Sequence, residues 1–111
     1  MAELRAKPGK EDKLRAVTLQ MIELVRADLT NLVYFLQEDR FSNGRFIFYE
    51  VFASETDFEA HNNQPYLKAW FAKHPELAFG GVQVMKMRVL KTASPQLRHV
   101  ASEDYPGSGR Q

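Results

Sequence analysis

The residues with chemistry to offer are one carboxylate and one imidazole set close together in an aromatic stretch. Glu50 interrupts the apolar run Phe46-Ile47-Phe48-Tyr49-Glu50-Val51-Phe52, and His61 follows in Phe58-Glu59-Ala60-His61. A carboxylate inside an apolar strand is costly unless something pairs with it, and His61 is the nearest partner in the chain. An imidazole oriented by a carboxylate in an aromatic pocket is one way to build a general base. The same two residues also read as a structural pair that fixes a helix against a sheet. Residue types alone leave both readings open.

Composition narrows the rest. With 111 residues the chain makes one domain. A formal net charge of +1 gives no electrostatic footprint for nucleic acid or an anionic membrane. There is no apolar run of transmembrane length and no signal-peptide core, so a cytoplasmic protein is expected. The absence of cysteine removes disulfides and thiolate chemistry. His61, His74 and His99 lie far apart without metal-ligand spacing, and no phosphate loop, nucleophile elbow or dinucleotide fingerprint occurs. No metal and no cofactor are expected.

Several elements must position Glu50 and His61. Ala2 to Ala6 reads as a short strand stopped by Pro8-Gly9. A helix begins near Lys10, with Leu14, Val17, Met21, Leu24 and Val25 as its apolar stripe, and fades near Ala27. Leu32 to Leu36 and Arg45 to Phe52 form a hairpin about Asn43-Gly44. Ser54 caps a short helix, Asn62 to Pro65 interrupts it, and Tyr66 to Phe71 resumes the helical pattern until His74-Pro75. Gly80-Gly81 opens a last strand, Val82 to Leu90. The fold class is thus α+β, a ferredoxin-like βαββαβ arrangement: a four-stranded antiparallel sheet with its helices on one face. Residues 1–91 make this domain and 92–111 read as a flexible tail.

The two central strands are apolar on both sides. Leu32, Tyr34 and Leu36 alternate with Val33 and Phe35, and Phe46, Phe48, Glu50 and Phe52 alternate with Ile47, Tyr49 and Val51. Helices cover only one face, so the other calls for a cover. The expected cover is a second copy, giving a homodimer through Val33, Phe35, Ile47, Tyr49 and Val51. A sheet half-covered by the tail is the alternative. On the helix side, His61, Tyr66 and Trp70 can reach the face bearing Phe46, Phe48, Glu50 and Phe52. That set makes either a small-molecule cavity or a solid core.

With these segments in place, the chain resembles the antibiotic biosynthesis monooxygenase family, including its quinol-monooxygenase-like and quorum-signal-modifying branches. The resemblance is carried by Ala2-Glu3-Leu4-Arg5-Ala6-Lys7-Pro8-Gly9-Lys10-Glu11, by Leu32-Val33-Tyr34, by Arg45 to Phe52 and by Phe58-Glu59-Ala60-His61, and it runs from Ala2 to about Leu90. It implies a dimeric α+β barrel that oxygenates a quinol-like or polyphenolic small molecule with dioxygen and without metal or flavin. It further implies His61 as the base, Glu50 as its orienting partner, and Phe46, Phe48, Phe52 and Trp70 as apolar walls. Tyr34 and Tyr66 would hydrogen-bond substrate oxygens.

The chain departs from that pattern in three places. Tyr66 follows Pro65 where relatives often carry a second histidine, Phe52 stands where many have tryptophan, and the first strand is short. The asparagine used by heme-degrading relatives on that strand is absent, which argues against heme degradation. Two further functions remain open beside the oxygenase: an isomerase or tautomerase of a small carbonyl signal molecule, and a non-catalytic dimeric binding barrel.

Overall fold

The computed structural model describes residues 1–28, 31–91 and 93. Its elements run β1 (Ala2–Ala6), α1 (Glu11–Val25), β2 (Asn31–Glu38), β3 (Arg45–Phe52), α2 (Glu55–Asn62), α3 (Pro65–Ala72), α4 (His74–Leu77) and β4 (Ala78–Val84). The sheet is antiparallel with strand order β2-β3-β1-β4, the arrangement expected for a split βαβ fold. No helix among the described residues is long and apolar enough to cross a membrane.

Period two decides what the sheet offers its helices. Ala2 pairs with Phe48 and Leu4 with Phe46, so these four side chains share a face, and all four are buried. The α1 stripe answers with Leu14, Met21 and Val25, and α3 adds Leu67 and Trp70. Each large side chain buried here contributes on the order of 1.5–3 kcal/mol. A polar contact crosses this core: the Trp70 indole N–H donates to Thr18 Oγ1 at 3.1 Å, tying α3 to α1.

Two expectations are corrected. Gly80-Gly81 does not open β4; it lies inside it. Both glycines have left-handed backbones, and the β1–β4 register slips by two residues between Glu3 and Arg5. Ala78 and Phe79 thereby pair with Ala6 and Arg5 ahead of the glycines. The strand ends at Val84, and residues 85–91 leave the ladder. Leu32 also departs from the face of Tyr34 and Leu36: an irregularity between Asn31 and Val33 leaves it exposed. Apart from residue 93, the expected tail at 92–111 lies outside the described residues.

The face turned away from the helices is not uniformly apolar. At one end Arg45 joins Glu3 and Asp39 at 2.8 and 3.0 Å, and Arg5 joins Glu3 at 3.1 Å. At the other, Phe35 lies 46% exposed and stacks on Tyr49 with ring centroids 5.3 Å apart. Val51 is buried within the chain at 6% exposure and lines the cavity described below. It is therefore removed from the free patch expected to bear it.

The β2–β3 loop is fixed by Gly44. Its φ is +86°, its N–H donates to Glu38 Oε2 at 2.9 Å, and its carbonyl accepts from Ala6 N at 2.8 Å. A Cβ there would stand 2.7 Å from Glu11 Cγ and 3.0 Å from Ala6 Cβ. Gly44→Ala combines positive-φ strain with this crowding and should cost about 1–3 kcal/mol. Thermal unfolding would read this as a fall of several degrees; an unchanged midpoint would show that the loop reshapes freely.

Candidate functional site

Beyond Phe48, β3 runs past the core and forms the wall of a cavity. Helix α2 begins at Ser54, whose Oγ accepts from Asp57 N at 3.0 Å, an N-cap that sets the helix phase. Phe58 and His61, one turn apart, then face Phe52 with ring centroids at 5.6 and 5.0 Å. Tyr34 meets His61 edge-on at 5.2 Å. Trp70 from α3 stands edge-on to Phe48 at 5.5 Å. These rings border a half-open cavity of about 140 Å³, whose lining includes Tyr34, Phe48, Glu50, Phe52, His61 and Trp70.

Six of the eight residues expected at a site are therefore brought to one cavity. Phe46 and Tyr66 are not in its lining. Phe46 is 1% exposed in the core, with the Arg15 guanidinium 5.8 Å from its ring centre. Tyr66 lies beside His61 at 6.4 Å, and its hydroxyl is buried with no hydrogen-bond partner among the described residues.

The expected Glu50–His61 pairing gives way to another. His61 Nδ1 lies 3.3 Å from Asp28 Oδ2, and the two side chains are 1% and 8% exposed. Asp28 follows the end of α1, its N–H donating to Val25 O at 2.8 Å. That turn brings the carboxylate to His61 from across the fold. Nothing near Asp28 in the sequence announces this, because the contact depends on where α1 stops over the sheet. Phe58 was missed for a different reason, since a phenylalanine one turn before a histidine reads as ordinary core. Met85, Lys86, Met87 and Val89 also line the cavity; they had been assigned to a regular strand. Lys86 Nζ reaches Glu55 at 3.3 Å and lies 5.6 Å from the Phe58 ring centre.

Burial sets the protonation of these groups. It lowers the His61 pKa, against a smaller opposing pull from the Asp28 hydrogen bond and charge, so His61 is neutral at pH 7. With Nδ1–H given to Asp28, the other ring nitrogen keeps its lone pair. Burial pushes Glu50 up to about 7. It also raises Tyr34, helped by the charge of Glu50, so the phenol stays protonated. Desolvation leads the rise at Tyr66 too, followed by the charge of Asp28.

A group whose folded pKa is raised adds stability below its unfolded value and loses it as pH climbs through the folded one. For Glu50 that window runs from about 4.5 to about 7. Glu50→Gln should therefore gain over the parent protein increasingly from about pH 4.5, reaching its full gain above about pH 7. Melting curves should show a rise on the order of 5 °C at pH 8 and a smaller one at pH 5. An equal shift at both values would show that Glu50 titrates normally.

Similarity to known proteins extends from the fold to the family. In sequence the chain is 24% identical over 89 residues to an uncharacterized protein of Synechocystis sp., covering 80% of this chain and 60% of that protein. It thus spans about 60% of the length of the curated relative it matches. Among solved structures it is similar to a protein of unknown function from Nitrosomonas europaea, with a TM-score of 0.75, 26% identity, and coverage of 85% of this chain and 89% of that one. It is also similar to a structure described as an antibiotic biosynthesis monooxygenase (TM-score 0.71, 19% identity, 76% and 88% covered). A Pseudomonas aeruginosa protein, PA3566, gives 0.69 at 23% identity over 74% and 82%. At such identities the last two speak for the fold alone. The model of the antibiotic biosynthesis monooxygenase family matches residues 1–73, from β1 through α3. That stretch holds Asp28, Tyr34, Glu50, His61 and Trp70, and the chain belongs to that family.

Proposed function

We propose that this chain is a cofactor-independent monooxygenase of a quinol-like or polyphenolic molecule, with His61 as the base. The observation that carries the reading is the buried His61–Asp28 contact at the edge of an aromatic cavity. It leaves a neutral imidazole nitrogen free to take a proton from a bound hydroxyl. The resulting anion is electron-rich enough to pass electrons to dioxygen. One oxygen atom enters the ring, the other leaves as water, and the ring is oxidised to the quinone level. The protein positions the ring, holds the proton and keeps bulk water away. In this reading Asp28 takes the orienting part expected of Glu50, and Tyr34, which lines the cavity, hydrogen-bonds a substrate oxygen.

The isomerase reading is favoured by one feature: His61 and Glu50 share the cavity as two separate proton carriers, one suited to take a proton and one to return it. Oxygen uptake separates the two. Purified protein should consume oxygen with hydroquinones above autoxidation, and His61→Ala, compared at equal folded fraction, should lose about 10²–10⁴ of that rate. Because base catalysis needs neutral His61, the rate should rise with pH along a limb centred below the usual histidine value of about 6.5. Uptake unchanged in His61→Ala would remove this residue from the mechanism.

The reading includes a homodimer through the outer sheet face. Its apolar patch is Val33, Phe35 and Ile47, with Leu32 exposed beside them and Tyr49, which also lines the cavity, at its margin, while the Glu3–Arg45–Asp39 network marks its polar border. Sedimentation equilibrium should give the mass of two chains for the parent and one for Phe35→Lys. A dimer that survives the lysine would place the interface elsewhere.

A further inference from the structure

Glu50 is left with no assigned task once Asp28 has taken His61. Its half-buried carboxylate lines the cavity; the charge of the N-terminal ammonium, whose Met1 lines the same cavity, acts on it, but among the described residues it forms no ion pair or hydrogen bond. A polar group so placed calls for a partner. We propose that Glu50 is a second recognition point, binding a hydroxyl at the end of the ring away from His61, so that the site selects a single ring bearing two opposed hydroxyls. This rests on the phenol-binding half of the function proposed above and gives that site its specificity.

Three observations support the assignment. Position is the first. Glu50 is paired across the ladder with Tyr34, whereas His61 lies over Phe52, two residues further along β3. Two strand residues span about 7 Å, so the two polar groups stand at different places along the cavity. The second is shape: Phe48, Phe52, Phe58 and Trp70 supply apolar walls between these polar points. Size is the third. A space of about 140 Å³ suits one ring, since an apolar cavity of about 150 Å³ accommodates benzene. Glu50 is also poised between its two forms at neutral pH, so it can accept from a hydroxyl or donate to the carbonyl that replaces it.

The test is binding without turnover. Trp70 is the only tryptophan of the chain and lines the cavity, so its fluorescence under anaerobic conditions reports occupancy directly. Hydroquinone should bind about tenfold or more tightly than 4-methoxyphenol, in which one hydroxyl is masked, as loss of one hydrogen bond to a charged group implies. Glu50→Leu should abolish that preference, and Glu50→Gln should retain part of it. Equal affinity for the two phenols, a preference that survives in Glu50→Leu, or no saturable quenching by either would overturn the proposal. Selective binding without oxygen uptake would keep this assignment and retire the oxygenase. Oxygen uptake with no such preference would do the reverse.

Discussion

An eight-residue strand with period two can show only four side chains to one side, and β3 divides its four between two purposes. Phe46 closes the core against β1 and the helices, Phe48 serves both core and cavity, and Glu50 and Phe52 belong to the cavity. Everything else in the domain follows from where that division falls. Helix α3 must straddle it, and Trp70 does so: its ring meets Phe48 edge-on while its N–H is satisfied by Thr18 of α1. Helix α2 must sit beyond it, so its Ser54 cap and the Phe58–His61 face are set over Phe52. A register slip of one residue would turn both sets outward together.

The chemistry of the cavity depends on the same placement. A histidine in the open would be half protonated near pH 6.5 and would need no partner. Held among aromatic rings, His61 stays neutral because charging it there is costly, and Asp28 fixes which nitrogen carries the proton. Glu50 experiences the same desolvation with the opposite consequence, since for an acid the neutral form is the protonated one. One environment thus produces a base with its lone pair free and an acid near its midpoint.

Local pattern in the sequence carried most of the fold. The α1 stripe, except for Leu24, which turns outward at 53% exposure, the Ser54 cap and the limits of β3 follow from spacing that survives into the structure. Gly80-Gly81 misled because two glycines read as a strand boundary, when here they form a bulge that only the pairing with β1 reveals. The cavity was half legible. Period two put Glu50 and Phe52 on one face, and helical spacing brought His61 and Trp70 toward it. The identity of the His61 partner was not legible, because Asp28 and His61 meet through the exit of α1 from the helical layer and no short-range rule encodes that exit. Phe46 looked equivalent to Phe48 and Phe52 for a related reason: alternation names a face but gives no position along it.

The paired glycines of β4 have a mechanical consequence. A slip of two residues keeps the alternation intact, so Ala78, Val82 and Val84 stay on the helix side across the bulge. Backbone at this point carries no side chain to interlock with its neighbours, and a Cβ built on either glycine meets nothing within 4 Å. The strand therefore lacks side-chain interlocking at its middle and is held at both ends, by Ala78 buried against the core and by the backbone pair that Met85 makes with Met1 at 2.7 and 2.9 Å. The cavity wall formed by Val84 and the residues after it is thus anchored through the chain's first residue and not through side chains of the strand's own centre.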